Sequence, residues 1–178
     1  MSSNTISPKM QTDSLIQRFN EFKSPLCGEF RFALNNILCW THLLRLGRLD
    51  HSTTVQAFEV IEHNAKHQSL LLDKLLDWHL TSEVTSQLPN VADINQRFEE
   101  FKSPLCVDIR FALNSILCWT YLFRLGRLDK STTLKAFEVI EHNAKHQNQL
   151  IDQLLNWRLT QNDLYPTSSN KPSNKDLK

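Results

Sequence analysis

The chain contains one unit twice, and this repetition limits what it can fold into. Residues 18–81 recur as residues 97–160 at an offset of 79, and 48 of the 64 aligned positions are identical. Two nearly identical units prefer the same local structure, and each offers its twin the same surface to pack against. We therefore predict two copies of one structural element related by an internal pseudo-twofold axis.

Apolar residues in each copy recur at intervals of three and four. In the first copy one such stripe runs from Leu26 to Leu44 and another from Phe58 to Leu75. This spacing places the residues of a stripe on one face of an α-helix. The segment RLGRLD separates the stripes, and Gly47 can end the first helix in a left-handed conformation. The predicted fold class is all-α, with two helical hairpins forming an antiparallel four-helix bundle.

The same patterns give the predicted boundaries. Ser24-Pro25 and Ser103-Pro104 are expected to open the long first helices, each joined by a kink to a short lead-in helix, because proline is tolerated in a first turn and damaging inside a helix. Two chains that exchange hairpins would bury similar surfaces, so a swapped homodimer remains an alternative to a monomeric pseudo-dimer. The predicted segments are a disordered N-terminus 1–13, a first repeat 14–81, a linker 82–93, a second repeat 94–160 and a disordered tail 161–178.

Composition excludes several classes of partner. The chain has 20 basic and 19 acidic residues, a net charge of +1 and no long basic run, so nucleic acid is not an expected partner. No run of roughly 18 apolar residues and no signal-peptide pattern is evident, so we expect no membrane association and a cytoplasmic location. The cysteines occur as two duplicated positions without a CxxC pair, and we expect them to be reduced and to pack as small apolar residues.

Two segments of each copy resemble a known family. In the first copy they read NEFKSPLCGEFRFALNNILCW and RLDHSTTVQAFEVIEHNAKHQSLLLDKLLDW. They resemble the dimerisation and histidine-phosphotransfer (HisKA-like) domain of sensor histidine kinases, especially cyanobacterial hybrid kinases, and the likeness spans nearly all of each copy. The resemblance implies a four-helix bundle that works in two-component signalling and binds the receiver domain of a response regulator or a partner kinase.

The departures from the family pattern point away from catalysis. Gly28 and Val107 stand where the family has its phosphoaccepting histidine, and neither side chain has a nucleophile. Phe32 and Phe111 replace the residue that often orients water for dephosphorylation. The chain has only 3 glycines, too few for the glycine-rich boxes of the family's separate ATP-binding domain. We therefore expect no enzymatic activity and no cofactor.

The positions around the missing histidine are the predicted partner-binding residues. The differences between the copies concentrate at 28–30 against 107–109 and at 69–79 against 148–158, all at the end of the bundle where the chain enters and leaves. Unlike faces at one end favour a single asymmetric partner site. By resemblance, the predicted partner-binding residues are Glu29, Arg31, Asn35, Asp108, Arg110 and Asn114.

Two histidines in each copy keep an alternative open. His63 and His67 are four residues apart on the second helix, as are His142 and His146, so each pair faces one side of its helix. One of these four could act as a relocated phosphoacceptor in a phosphorelay. A metal site is not predicted, because the local sequence supplies no third ligand. A third possibility is a purely structural helical module.

Overall fold

The computed structural model describes residues 8–79, 91–126 and 128–159, and within these ranges it contains four helices and no strand. Helices α1 and α3 each contact both α2 and α4, whereas α1 and α3, like α2 and α4, lie diagonally across the bundle. The predicted all-α four-helix bundle is confirmed. The helix bounds are α1 Pro8–Arg45, α2 His51–Asp77, α3 Val91–Arg124 and α4 Lys130–Asn156.

The tight turns of the hairpins follow the predicted turn chemistry. Gly47 and Gly126 both have a φ of 64°, the left-handed conformation that glycine adopts without a steric penalty. Asp50 then caps α2 by accepting a hydrogen bond from the Thr53 amide at 2.7 Å, and Asp129 caps α4 in the same way. These hydrogen bonds lower the pKa of both aspartates, because they stabilise the ionised carboxylate.

One hydrophobic interior is shared by the two repeats. Ile37, Ile61, Ile116 and Ile140 come from four different helices, and all are fully buried in the same cluster. Burying a side chain of this size contributes roughly 1.5–3 kcal/mol, so each repeat depends on the other for much of its core. Ion pairs also cross between repeats in symmetric sets, such as Arg45 with Glu141 at 2.9 Å and Arg124 with Glu62 at 3.2 Å.

The first helix of each repeat begins earlier than predicted and does not break at its proline. Pro25 lies inside α1 and Pro104 inside α3, so the predicted cap and first-turn proline are wrong. Residues 8–13 and 91–93 are helical, although they were assigned to a disordered N-terminus and to a linker. Residues 1–7, 80–90 and 160–178, which hold the remainder of the predicted disordered ends and linker, lie outside the described residues.

A second hydrophobic cluster explains why α1 and α3 continue past their prolines. Phe19 and Phe98 are buried at the end of the bundle opposite the hairpin turns and pack edge to face at 5.6 Å. Trp78 and Trp157, just after α2 and α4, pack against both rings. Aromatic pairs of this kind add about 0.5–1.5 kcal/mol each beyond their burial, which helps to offset the cost of a proline inside a helix.

Helix α3 also has the length and composition of a membrane span, with a mean hydropathy of 1.3 over its most apolar 18-residue window. This observation differs from the expectation that no segment would qualify. A core helix of a soluble bundle passes the same test, and the buried residues of α3, from Val91 to Thr120, face the two clusters described above. The helix is therefore weak evidence for a membrane.

Candidate functional site

Gly28 and Val107, the positions that align with the phosphoaccepting histidine of the family that the sequence resembles, lie on outward faces of α1 and α3. We call Gly28, Glu29, Phe32 and Asn35 the α1 face, and all four residues are exposed. A Cβ atom built on Gly28 would meet nothing within 4 Å, so this position is open to solvent. The equivalent residues Val107, Asp108, Phe111 and Asn114 form the α3 face, and they are exposed as well.

Helix periodicity explains why these faces point outwards. Cys27, Phe30, Ala33 and Leu34 are buried in α1, and they lie on the side of the helix opposite to Phe32. Phe32 is nevertheless a large aromatic residue, and it is 69% exposed; its counterpart Phe111 is 74% exposed. They are the most exposed aromatic side chains in the described part of the chain. An apolar side chain at this exposure contributes nothing to the core.

The two faces lie on opposite sides of the bundle, because α1 and α3 are diagonal neighbours. They share the phenylalanine and the asparagine and differ in the residues next to them, glycine and glutamate on one side and valine and aspartate on the other. The sequence differences between the copies therefore distinguish two separate surfaces. They do not form the one asymmetric site that was predicted from the sequence.

Two of the predicted partner-binding residues are already engaged within the bundle. Arg31 of α1 contacts Asp152 of α4 at 2.5 Å, and Arg110 of α3 contacts Asp73 of α2 at 3.4 Å. All four side chains are about half exposed, so each pair adds little stability. The arginines therefore border the faces as parts of ion pairs that join the two repeats.

The structure brings one of the predicted histidines to the α1 face. The Nε2 atom of His67 lies 3.7 Å from the Glu29 carboxylate, and both side chains are about half exposed. His63, His142 and His146 are exposed, and in the described part of the chain none of them makes an ion pair with a carboxylate. No group of three or more potential metal ligands occurs among residues 8–79, 91–126 and 128–159.

Two buried lysines were missed by the reasoning from sequence. Lys23 is 5% exposed and Lys102 2% exposed, and each donates hydrogen bonds to backbone carbonyls at the end of a helix from the other repeat. The only signal was that each lysine lies four residues after a phenylalanine of the lead-in segment, Phe19 or Phe98, a spacing that is equally typical of a surface helix.

Comparison with known proteins adds no family to these observations. A scan of family models, a search of curated proteins and a search of solved structures each found no match to the chain. The resemblance to the histidine-phosphotransfer domain therefore rests on the motifs quoted above.

Each face combines several kinds of side chain on one exposed helix surface. Gly28 and Val107 have no atom that could attack a phosphorus. The Glu29 carboxylate has the His67 imidazole 3.7 Å away, whereas Asp108 makes no ion pair with a histidine among the described residues. Each face instead offers an aromatic ring, an amide and a carboxylate on a rigid helix. Such a combination suits a protein surface that presents an apolar hollow with polar edges.

Proposed function

We propose that the protein is a non-catalytic scaffold of two-component signalling, which binds the receiver domain of a response regulator, or a partner kinase, through the α1 and α3 faces. The observation that carries this proposal is the pair of exposed phenylalanines, Phe32 and Phe111, each one helical turn after the residue that replaces the phosphoacceptor. A chain that carries an exposed aromatic side chain beside a position without a nucleophile can hold a partner without exchanging phosphate with it.

The energetics of binding favour these two residues as anchors. Aromatic side chains bury roughly 150–250 Å² each, and those at the centre of an interface typically cost more than 2 kcal/mol when truncated. Phe32 and Phe111 sit on long helices held by the shared core, so little conformational entropy would be lost when they are buried by a partner. The half-exposed ion pairs of Arg31 and Arg110 would form the polar rim.

The direct test is capture of a receiver domain with anchor variants as controls. The full chain is immobilised, bound proteins are identified by mass spectrometry, and the recovered receiver or kinase is purified for calorimetry. We expect Phe32→Asp and Phe111→Asp each to weaken binding at its own face by at least about tenfold and the double variant to abolish it. Leu46→Asp, an exposed leucine at the hairpin turn, is the matched control and should bind as the natural chain does.

Two outcomes would contradict the proposal. One is that neither a receiver domain nor a kinase is recovered. The other is that a receiver binds equally well to the natural chain and to the double phenylalanine variant. A purely structural helical module would give the first of these results.

A gain-of-function variant tests the geometry of docking. Since Gly28 is open, Gly28→His can restore an imidazole without displacing a neighbour, and Glu29 follows it as the potential base. We expect this variant to take acid-labile label from a phosphorylated receiver and the natural chain to take none. The double variant Gly28→His with Phe32→Asp should lose the label, because the receiver no longer docks. Label on the natural chain would contradict the non-catalytic assignment.

One observation favours a second candidate, a histidine phosphotransferase that uses His67. Its imidazole is the one placed beside a carboxylate on the α1 face, 3.7 Å from Glu29. An adjacent carboxylate can orient an imidazole ring for attack and for proton transfer. Under this candidate the natural chain would take label from a phosphorylated receiver, His67→Ala would lose it, and the matched variant His146→Ala would keep it.

A further inference from the structure

The two buried lysines occupy equivalent sites that are not chemically equivalent. Lys23 Nζ donates to the Leu155 carbonyl at 3.0 Å and to the Trp157 carbonyl at 2.7 Å. Lys102 Nζ donates to the corresponding carbonyls of Leu76 and Trp78 at 3.1 and 3.0 Å. In both repeats the ammonium thus satisfies carbonyls that the end of a helix leaves without intrahelical partners.

The difference lies in the third N–H of each ammonium. A lysine side chain has three donors, and Lys102 uses its third on the Glu99 carboxylate at 2.7 Å. At the offset of 79, the position of Glu99 is taken by Asn20 in the first repeat. Of the residues that the structure describes, none offers Lys23 a carboxylate, so the structure assigns no acceptor to its third N–H.

A second residue, His79 in one repeat and Arg158 in the other, increases the difference in charge between the two lysine sites. Glu99 also lies 3.5 Å from the Nδ1 atom of His79, so the second-repeat site holds a carboxylate between a lysine and a histidine. The equivalent of His79 is Arg158, which lies close enough to Lys23 to affect its titration. Burial lowers the pKa of Lys23, and the positive charge of Arg158 lowers it further. The first-repeat site therefore carries two cations where the twin carries a balanced cluster.

There is room for a ligand at this site. A cavity of about 450 Å³, open to solvent, is lined by Asn20, Lys23, Ser24, Leu155, Arg158 and Leu159. The lining supplies an ammonium, a guanidinium, a side-chain amide and a hydroxyl, all of which can donate hydrogen bonds. The cavity is large enough for a phosphate or carboxylate group together with part of the molecule that bears it.

We propose that this cavity binds an oxyanion, a phosphate or carboxylate group, which takes the place that the Glu99 carboxylate occupies in the other repeat. The oxyanion accepts the third N–H of Lys23 and pairs with Arg158 at the mouth of the cavity. A buried cation with one donor unpaired favours an ionised acceptor, because charge-assisted hydrogen bonds are stronger in a partly desolvated site. This inference is independent of the docking proposed for the α1 and α3 faces.

The twin site supplies matched variants for the test. The full chain is titrated with inorganic phosphate and, separately, with acetate, at an ionic strength held constant with sodium chloride. Binding is followed by tryptophan fluorescence, because Lys23 donates a hydrogen bond to the Trp157 carbonyl and a ligand on Lys23 would therefore lie close to this tryptophan. We expect saturable binding at one site in the natural chain. Asn20→Glu should weaken it by at least about tenfold and raise the melting temperature without ligand, because the new carboxylate fills the site as Glu99 does.

The reverse variant distinguishes a built site from general screening of charge. Glu99→Asn opens the equivalent position beside Lys102, so we expect a lower melting temperature that phosphate partly restores, and a second binding event in the titration. Phosphate binding that is unchanged in Asn20→Glu would overturn the proposal. So would a response of the natural chain that chloride reproduces at the same ionic strength. Competition by acetate would identify a carboxylate-tolerant site, and its absence a site selective for phosphate.

Discussion

Equivalent residues of the two repeats can differ in their hydrogen bonds where a polar side chain is buried in the core. Gln68 and Gln147 occupy equivalent positions, and both are buried among apolar side chains. Gln147 donates to the Ile109 carbonyl at 3.3 Å, whereas neither amide atom of Gln68 has a hydrogen-bond partner. The apolar spacing predicted that both glutamines lie on the inner stripe. It could not predict that one would remain unpaired, because that depends on how each amide is placed against the neighbouring helix.

Gln68→Met should stabilise the protein. The substitution keeps the length of the side chain and removes a buried amide without partners, so we expect the free energy of unfolding to rise by about 1–3 kcal/mol in urea denaturation. Gln147→Met is the matched control and should gain less, because it also removes the bond to Ile109. A loss of stability in Gln68→Met would show that the amide is paired in solution.

The four cysteines separate into two buried and two exposed residues. Cys27 and Cys106 lie in the core, as the expectation of small apolar residues implied, while Cys39 and Cys118 are exposed. Burial raises the pKa of both core thiols to about 11, because desolvation disfavours the thiolate. We expect alkylation at neutral pH to label Cys39 and Cys118 rapidly and the core cysteines only after unfolding, as read by mass spectrometry of the peptides.

The same shift predicts a loss of stability at alkaline pH. Below the unfolded thiol pKa of 9.0 the core cysteines are protonated in both states, so their contribution is complete; it is lost as pH rises through about 11. Each thiol accounts for roughly 1–3 kcal/mol over this window. The double variant Cys27→Ala with Cys106→Ala should lose stability less steeply between these pH values. An equally steep loss in the variant would assign the effect to other groups.

At the scale of helices, the prolines show where local rules were overridden. The rule that proline opens a helix predicted a break at Pro25 and at Pro104, yet α1 and α3 run through both. The spacing of Leu15, Phe19 and Lys23 continues the stripe of α1 across the proline. Burial of Leu15 and Phe19 in the second hydrophobic cluster, together with burial of Lys23, outweighs the local cost. Hairpin turns were predictable because glycine and aspartate act locally. The second hydrophobic cluster was not predictable, because it joins residues of α1 and α3 to the segments that follow α2 and α4.

Pro25→Ala distinguishes a continuous helix from a helix start. Pro25 is exposed and inside α1, so alanine restores a backbone donor and removes a steric clash. We expect a gain of about 1–3 kcal/mol in the free energy of unfolding, reduced somewhat by the greater freedom of the unfolded chain. Ser24→Ala, the exposed neighbouring position, is the control and should change stability by less than about 0.5 kcal/mol. A neutral or destabilising effect of Pro25→Ala would favour a first-turn proline.

At the scale of the whole molecule, the two repeats share one hydrophobic core but expose different residues on their outer surfaces. The ion pairs, the apolar contacts and the lysine–carbonyl hydrogen bonds between the repeats come in symmetric sets. The α1 and α3 faces differ, and only Lys102 of the two lysines has a carboxylate partner. The symmetric sets were largely predictable, because repetition and helical spacing specify a shared core. The resemblance singled out the residues around Gly28 and Val107, and whether they bind a partner stays a prediction. That they lie on opposite sides of the bundle required the diagonal placement of α1 and α3.

The central claim is that the two repeats fold as one unit. Hydrogen exchange of the full chain under native conditions tests it through Ile37→Ala, which removes a fully buried side chain of α1 at a cost of about 2–5 kcal/mol. We predict that the most protected amides of α3 and α4 lose protection by the same free energy as those of α1 and α2. Unchanged protection of α3 and α4, with loss confined to α1 and α2, would contradict the shared interior.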